Sequence, residues 1–200
     1  MSHTELPAFY DDLDATRQHA LKLIARGVKD RRSAMHILTV ATTGLDGAPR
    51  VRTVVNRGYN PDTREVRFHT DRRSPKLQEI KAEPRVAVQL YDPKAKIQLR
   101  LDTRATFHES GPLRDEAWEA TRPFSRACYR VEVAPSMAVA EPSQVTFASD
   151  EDPDEGFDNF VPVTLRIYAM ECLYLAHQGH RRARFTWDES DIIQATWLVP

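Results

Sequence analysis

The chain has 200 residues, room for one sizeable domain with its own core or at most two small ones. Its 28 Lys and Arg nearly balance 29 Asp and Glu, so no global field draws it to nucleic acid or to an anionic membrane, and any cationic site must be local. Two cysteines, Cys128 and Cys172, form no CxxC; MSHTELPAFYDDLDATRQ has no basic and apolar leader; and no apolar run approaches about eighteen residues, so a cytoplasmic protein with neither a nucleic-acid nor a membrane partner is expected.

Residues 11 to 30 set Leu13, Ala20, Leu21, Ile24 and Val28 at helical spacing, acids early and cations late, which predicts an N-terminal amphipathic helix. From residue 35 the period becomes two. MHILTVATT, RVRTVVNRGY and EVRFHT read as an antiparallel meander, turning at residues 44 to 49 and at Asn60-Pro61-Asp62. In that order RTVVNR pairs directly with EVRFHT. A short helix over 75 to 83 follows, with Ser74 at its N-cap and Pro75 at its first position. RVAVQLYD and KIQLRLDTRATFHE are the next strands. The latter turns Ile97, Leu99, Leu101, Ala105 and Phe107 to one face and Gln98, Arg100, Asp102, Arg104 and His108 to the other. Residues 112 to 121 read as helix, broken by Pro123, and the acidic stretch 148 to 159 as a mobile surface loop within the domain. VTLRIYAMECLYLA and RRARFTW close the chain around a hairpin at Gln178-Gly179, and IIQATWLVP offers a further strand. The expected fold class is mainly β in a single domain: six to seven antiparallel strands in a small barrel or sandwich, with α additions and an N-terminal helix. Open edges at this strand length favour closure or dimerisation.

The stretch FHTDRRSPK (68–76) is the most informative for chemistry. A strand end, a Ser at a helix N-cap and Lys76 in the first turn make an anion site suited to phosphate, to which Arg52 can add a second cation. Taken singly, Arg52, Arg57, Arg72 and Arg73 read as a solvated rim. The order strand, turn, strand, Thr-x-x-x-Ser-x-Lys helix start favours a site instead. Cys128, between Arg126 and Arg130, has the neighbours for a lowered thiol pKa, though packing is the commoner role. Trp118, Trp187 and Trp197 read as core or interface aromatics. His177 and His180 lack a third ligand at suitable spacing, so no metal is expected.

RTVVNRGY, then FHTDRRSPKLQEI, then RVAVQLYD and IQLRLDTRA in this order resemble the FMN-binding core of the pyridoxamine 5'-phosphate oxidase-like split-barrel family. The resemblance spans about residues 35 to 109 and, less closely, the last thirty residues. It implies FMN as cofactor, with Arg52 and Lys76 on the phosphate and Thr53, Val54 and Val55 in the strand beside the isoalloxazine ring. It further implies cofactor-binding roles for His69, Thr70, Ser74, Gln98, Tyr174 and Arg184, the last meeting the polar edge of the ring. His69 stands where the family has Tyr, Pro75 where it often has Arg, and Tyr174 where it often has Trp. Ser136 matches a loop serine near the phosphate. A homodimer with FMN at the subunit interface is implied as well.

For the substrate, the resemblance implies binding by Arg57, Trp118, Arg122, His180 and Arg182, with Arg126 in place of a Ser. Because a site built around particular hydrogen bonds rejects ligands that leave its groups unpaired, these replacements argue against pyridoxamine phosphate oxidation itself. The reading is an FMN-dependent oxidoreductase acting on a small substrate, its catalytic residues unassigned. The alternative is a non-catalytic binder of FMN, pyridoxal phosphate or another phosphorylated ligand.

Overall fold

The structure, a computed structural model, describes residues 6–200, so the reading of the extreme N-terminus as leaderless falls partly outside the described residues. Helix α1 runs over Leu13–Lys29; the Asp12 side chain caps it by accepting from the Ala15 N–H, and Thr16, Ala20, Ile24 and Gly27 are buried. Gly27 allows a close approach: a Cβ there would lie 2.2 Å from the Met35 carbonyl oxygen. The helix is thereby pressed onto the 3-10 turn Ala34–His36 that leads into the sheet.

Among the described residues, nine strands form one antiparallel sheet: β1 Ile37–Thr43, β2 Pro49–Val55, β3 Gly58–Asn60, β4 Glu65–Asp71, β5 Arg85–Asp92, β6 Ile97–Phe107, β7 Phe160–Tyr174, β8 Arg181–Trp187 and β9 Ile193–Leu198. The sheet order is β2-β1-β5-β6-β7-β4-β3, with β8 on β7 and β9 on β8. Three helices intervene: α2 Pro75–Ala82, α3 Pro112–Glu119 and the single turn α4 Pro123–Arg126.

Along its main path the sheet has seven strands, within the expected six to seven, and β8 and β9 extend it from β7. Within the expected meander, however, the run from Arg50 to Tyr59 is not one strand. It breaks at Asn56, whose buried amide donates to the carbonyls of Ile24 and Met35, 3.1 and 3.3 Å away. Those bonds pin the backbone to α1 and the chain turns. The pairing of RTVVNR with EVRFHT fails for the same reason. β2 pairs with β1 throughout, Arg52 opposite Val40, and only the short β3 pairs with β4.

Strand β7 divides the barrel. One edge runs along β6; the other serves β4 through Arg166 and β8 from Ala169 onward. Tyr168 lies between the two stretches, an extra residue where the β6–β7 register shifts, so a β-bulge marks the branch. Inside, Ile24, Leu38, Val40, Phe68, Leu77, Ile80, Leu101, Val163 and Phe185 form a continuous buried core. Truncating a ring such as Phe68 in this setting costs about 3–5 kcal/mol. Trp118, Tyr129 and Phe160 make a second, smaller cluster under α3, against which Phe157 packs.

Candidate functional site

Strand β4 carries the chemistry because its alternation sends neighbouring residues to opposite sides. Thr70 turns to one side, where Lys76 donates from Nζ to the hydroxyls of Thr70 at 3.0 Å and Ser74 at 2.7 Å. An ammonium has three donors. Among the described residues these are the two that are used. Ser74 occupies the N-cap position of α2, yet its side chain caps no backbone N–H; it serves Lys76 instead. Arg52 reaches the same place from β2. It pairs with Glu79 at 2.6 Å and donates to the Thr42 hydroxyl, which itself donates to Glu79 at 2.5 Å. Burial lowers the Lys76 pKa, the Arg52 charge lowers it further, and Asp71 and Glu79 partly oppose them. The two cations are therefore electrostatic neighbours, although their strands do not pair.

Arg73, read singly from sequence as rim, is a brace. It grips buried Asp71 through Nε and Nη2 at 3.0 and 2.7 Å and donates to the carbonyls of Val131 and Glu132 at 2.8 and 3.1 Å. The turn that presents Ser74 and Lys76 is thus tied to the segment leading to Ser136. Sequence reasoning missed Glu79, Thr42 and the Arg73–Asp71 pair. Glu79 lies one helical turn after Lys76, which was the signal available.

On the other side of β4 stands His69. Burial, then the charges of Arg67 and Arg57, push its pKa down to about 3, and its ring meets Phe160 edge-on at 4.7 Å. It lines a cleft of about 220 Å³ together with Lys29, Arg31, Arg57, Arg67 and Arg122. Two of the residues assigned to substrate, Arg57 and Arg122, thus meet here. Trp118, also assigned to substrate, does not line this cleft: the ring is buried in the smaller core and its indole N–H donates to Asp154 at 2.8 Å. Arg126 is likewise committed, to the carbonyls of Trp118, Thr121 and Pro153. The Cys128 thiol donates to the Ser125 carbonyl, and partial enclosure moves its pKa up rather than down, contrary to the sequence expectation.

The remaining assigned residues lie elsewhere in the chain. Arg184 on β8 is separated from Arg52 on β2 by β1, β5, β6 and β7 along the sheet. Arg182 and Arg184 converge on Glu171, each with a 3.1 Å bond, and Arg100 stands 3.6 Å from it. Burial raises the Glu171 carboxyl, but the guanidiniums, Arg182 foremost, outweigh that and hold it below its ordinary value. Gln98 on β6 is half-buried opposite Tyr91 and Leu173. Tyr174 meets Phe9 and Tyr10 edge-on at 5.3 and 6.1 Å. His180 and Arg182 line a separate cleft with Trp197 and Leu198. Thr53, Val54 and Val55 run along β2 opposite Thr39, Leu38 and Ile37.

Two cations, two hydroxyls and a spare ammonium donor suit a phosphate group, the anchoring end of FMN. Residues 18–109 match the family model described as the pyridoxamine 5'-phosphate oxidase FMN-binding domain. Pyridoxine/pyridoxamine 5'-phosphate oxidase 2 of Arabidopsis thaliana is 34% identical over 97 residues, 45% of this chain and 49% of that protein, so the chain spans about half the length of this relative. Among solved structures, a pyridoxamine 5'-phosphate oxidase-related, FMN-binding protein from Nostoc punctiforme superposes with a TM-score of 0.78 at 22% identity, covering 98% of this chain and 100% of that one. PhzG from Burkholderia lata, solved in complex with tetrahydrophenazine-1-carboxylic acid, gives 0.74 at 22% identity, with 100% of both chains covered. Over residues 18–109, then, the chain resembles the pyridoxamine 5'-phosphate oxidase FMN-binding domain, and its fold is the split barrel.

Proposed function

We propose that the chain is an FMN-dependent oxidoreductase, a cytoplasmic homodimer acting on a small anionic substrate. The observation that carries the reading is the Lys76 ammonium, seated on the Thr70 and Ser74 hydroxyls beside Arg52. Lys76 and Arg52 would hold the phosphate, with Glu79 and Thr42 keeping the Arg52 guanidinium in place. FMN, when bound, supplies the hydride and electron chemistry, and the protein supplies position and electrostatics. Arg184 and Gln98 would face the polar part of the ring. Because the sheet order keeps β8 away from β2 within one protomer, they are assigned to the site of the opposite subunit. Arg57 and Arg122 would hold the anionic group of the substrate, and neutral His69 can exchange a hydrogen bond there without adding charge.

The test is purification, cofactor extraction and titration with FMN, followed through quenching of flavin fluorescence. The double variant Arg52→Ala, Lys76→Ala should lose at least about 100-fold in FMN affinity, two charge-assisted contacts being worth roughly 3–6 kcal/mol together. Its circular dichroism should stay that of the parent. Unchanged affinity, or a parent that takes up no FMN, would end the reading. Reduction of bound flavin with turnover, by NADPH or a candidate amine, separates an enzyme from a carrier that only holds the cofactor.

A further inference from the structure

The cleft behind β4 holds more positive charge than one anionic group can use. Lys29, Arg31, Arg57, Arg67 and Arg122 line it, and no carboxylate does. Among the described residues, none of these five takes part in an ion pair, whereas Arg52, Arg64, Arg73, Arg126, Arg130, Arg182 and Arg184 all do. Glu116 is the acid whose charge is felt at Arg67, and it makes no contact with it. The guanidinium of Arg67 has one bond, a long one of 3.4 Å to the Arg57 carbonyl. Buried polar atoms without a partner cluster here too: Asn56 Oδ1, Arg67 Nε and His69 Nε2 all belong to cleft-lining residues.

Like charges gathered in a small recess repel, and unpaired buried donors cost free energy. A phosphate dianion at Arg57 and Arg122 would neutralise two of the five cations and leave Lys29, Arg31 and Arg67 uncompensated. Resting on the reading that a small anionic substrate binds this cleft, we propose that this substrate carries two anionic groups, such as a phosphate and a carboxylate on one small skeleton. Arg31 and Arg67 are the residues that read the second group. Arg67 lies two residues before His69 and so shares its side of β4, while Arg31 follows α1. The second charge is thus recognised by elements distinct from Arg122, which begins the turn into α4.

The experiment uses the full chain after incubation with FMN and two probes of similar size at near-physiological salt: glycerol 3-phosphate, with one anionic group, and 3-phosphoglycerate, with two. Calorimetric titration should show 3-phosphoglycerate binding at least about tenfold more tightly. Arg31→Gln and Arg67→Gln should each erase most of that advantage by weakening 3-phosphoglycerate far more than glycerol 3-phosphate; Arg122→Gln should weaken both probes alike. Arg31 is exposed, so its variant tests the proposal even if Arg67→Gln folds poorly. Equal affinity for the two probes, or an advantage that survives both variants, overturns the two-group proposal while the anion-binding reading stands. Failure of both probes to bind an FMN-loaded protein overturns the anionic substrate itself, and an acidic peptide such as residues 150–155 of a second copy would then be the occupant to consider.

Discussion

His69 and Thr70 are adjacent on β4 yet belong to regions of opposite character. On the Thr70 side the three cations of the site have partners within the chain: Arg52 has Glu79, Arg73 has Asp71, and Lys76 rests on two hydroxyls. On the His69 side five cations line a cleft with no carboxylate among them. The first region is pre-organised, with its electrostatic cost met by the fold, so a ligand finds donors already aimed. The second is left unbalanced, so the fold tolerates it at some cost and something outside the chain must supply the compensation. The same strand serves both because a β-strand alternates its side chains across the sheet.

The contrast breaks most visibly if the balanced side is unbalanced. Glu79→Gln leaves the Arg52 guanidinium, largely buried, without its counter-charge, and should lower the free energy of unfolding in urea by about 3 kcal/mol. A loss below about 1 kcal/mol would mean that the pair contributes little and that the two sides differ less than their geometry implies.

Acid should act through the other side. The folded pKa of His69, about 3, lies below the 6.5 of the unfolded chain, so the unfolded state takes up the proton first. Its contribution to stability is complete above pH 6.5 and is lost as pH falls toward 3. By linkage, about 2 kcal/mol disappears between pH 8 and pH 5 through this residue. His69→Phe should flatten the acid limb of the stability curve by that amount; parallel curves for parent and variant would refute the assignment.

Relieving charge in the cleft should have the reverse sign. Arg67→Met replaces a half-buried, poorly partnered cation by a side chain of similar length, and should raise stability by about 1 kcal/mol, read as an upward shift in Tm. Destabilisation would mean that its bond to the Arg57 carbonyl matters more than the repulsion. The smallest effect sharpens the picture of the turn. Since the Ser74 hydroxyl caps nothing in α2, Ser74→Ala should change thermal stability by less than about 0.5 kcal/mol, where a working N-cap is worth about 1. A loss near 1 kcal/mol would show that the hydroxyl caps the helix in solution.

Much of this was legible in the chain. The alternation of β6, the bounds of β8 and the helix start at Pro75 followed from period and from proline chemistry, which act over a few residues. Thr70, Ser74 and Lys76 could be placed together because they lie within seven residues. The approach of Arg52 was anticipated, but by the wrong route. Strand pairing was inferred from chain order, whereas Asn56 is held by the carbonyls of Ile24 in α1 and of Met35 in the turn after it, which bends the run away from β4. The surroundings of Trp118 could not be read from sequence because an indole signals burial and binding alike, and its contacts with Tyr129, Phe157 and Phe160 come from distant parts of the chain. Arg67 was not singled out, since an arginine on its own reads as solvated and only a cleft makes four arginines and Lys29 a group.

Local residue chemistry, then, determined which segments are strands and helices, that a positive turn follows β4, and which family of FMN-binding domains the segment resembles. Tertiary structure decided which cations are neutralised and which are not. Charge compensation depends on distance in space, and the groups in question, Arg52 and Glu79 as an ion pair or Arg57 and Arg122 as like charges, are tens of residues apart until the sheet closes.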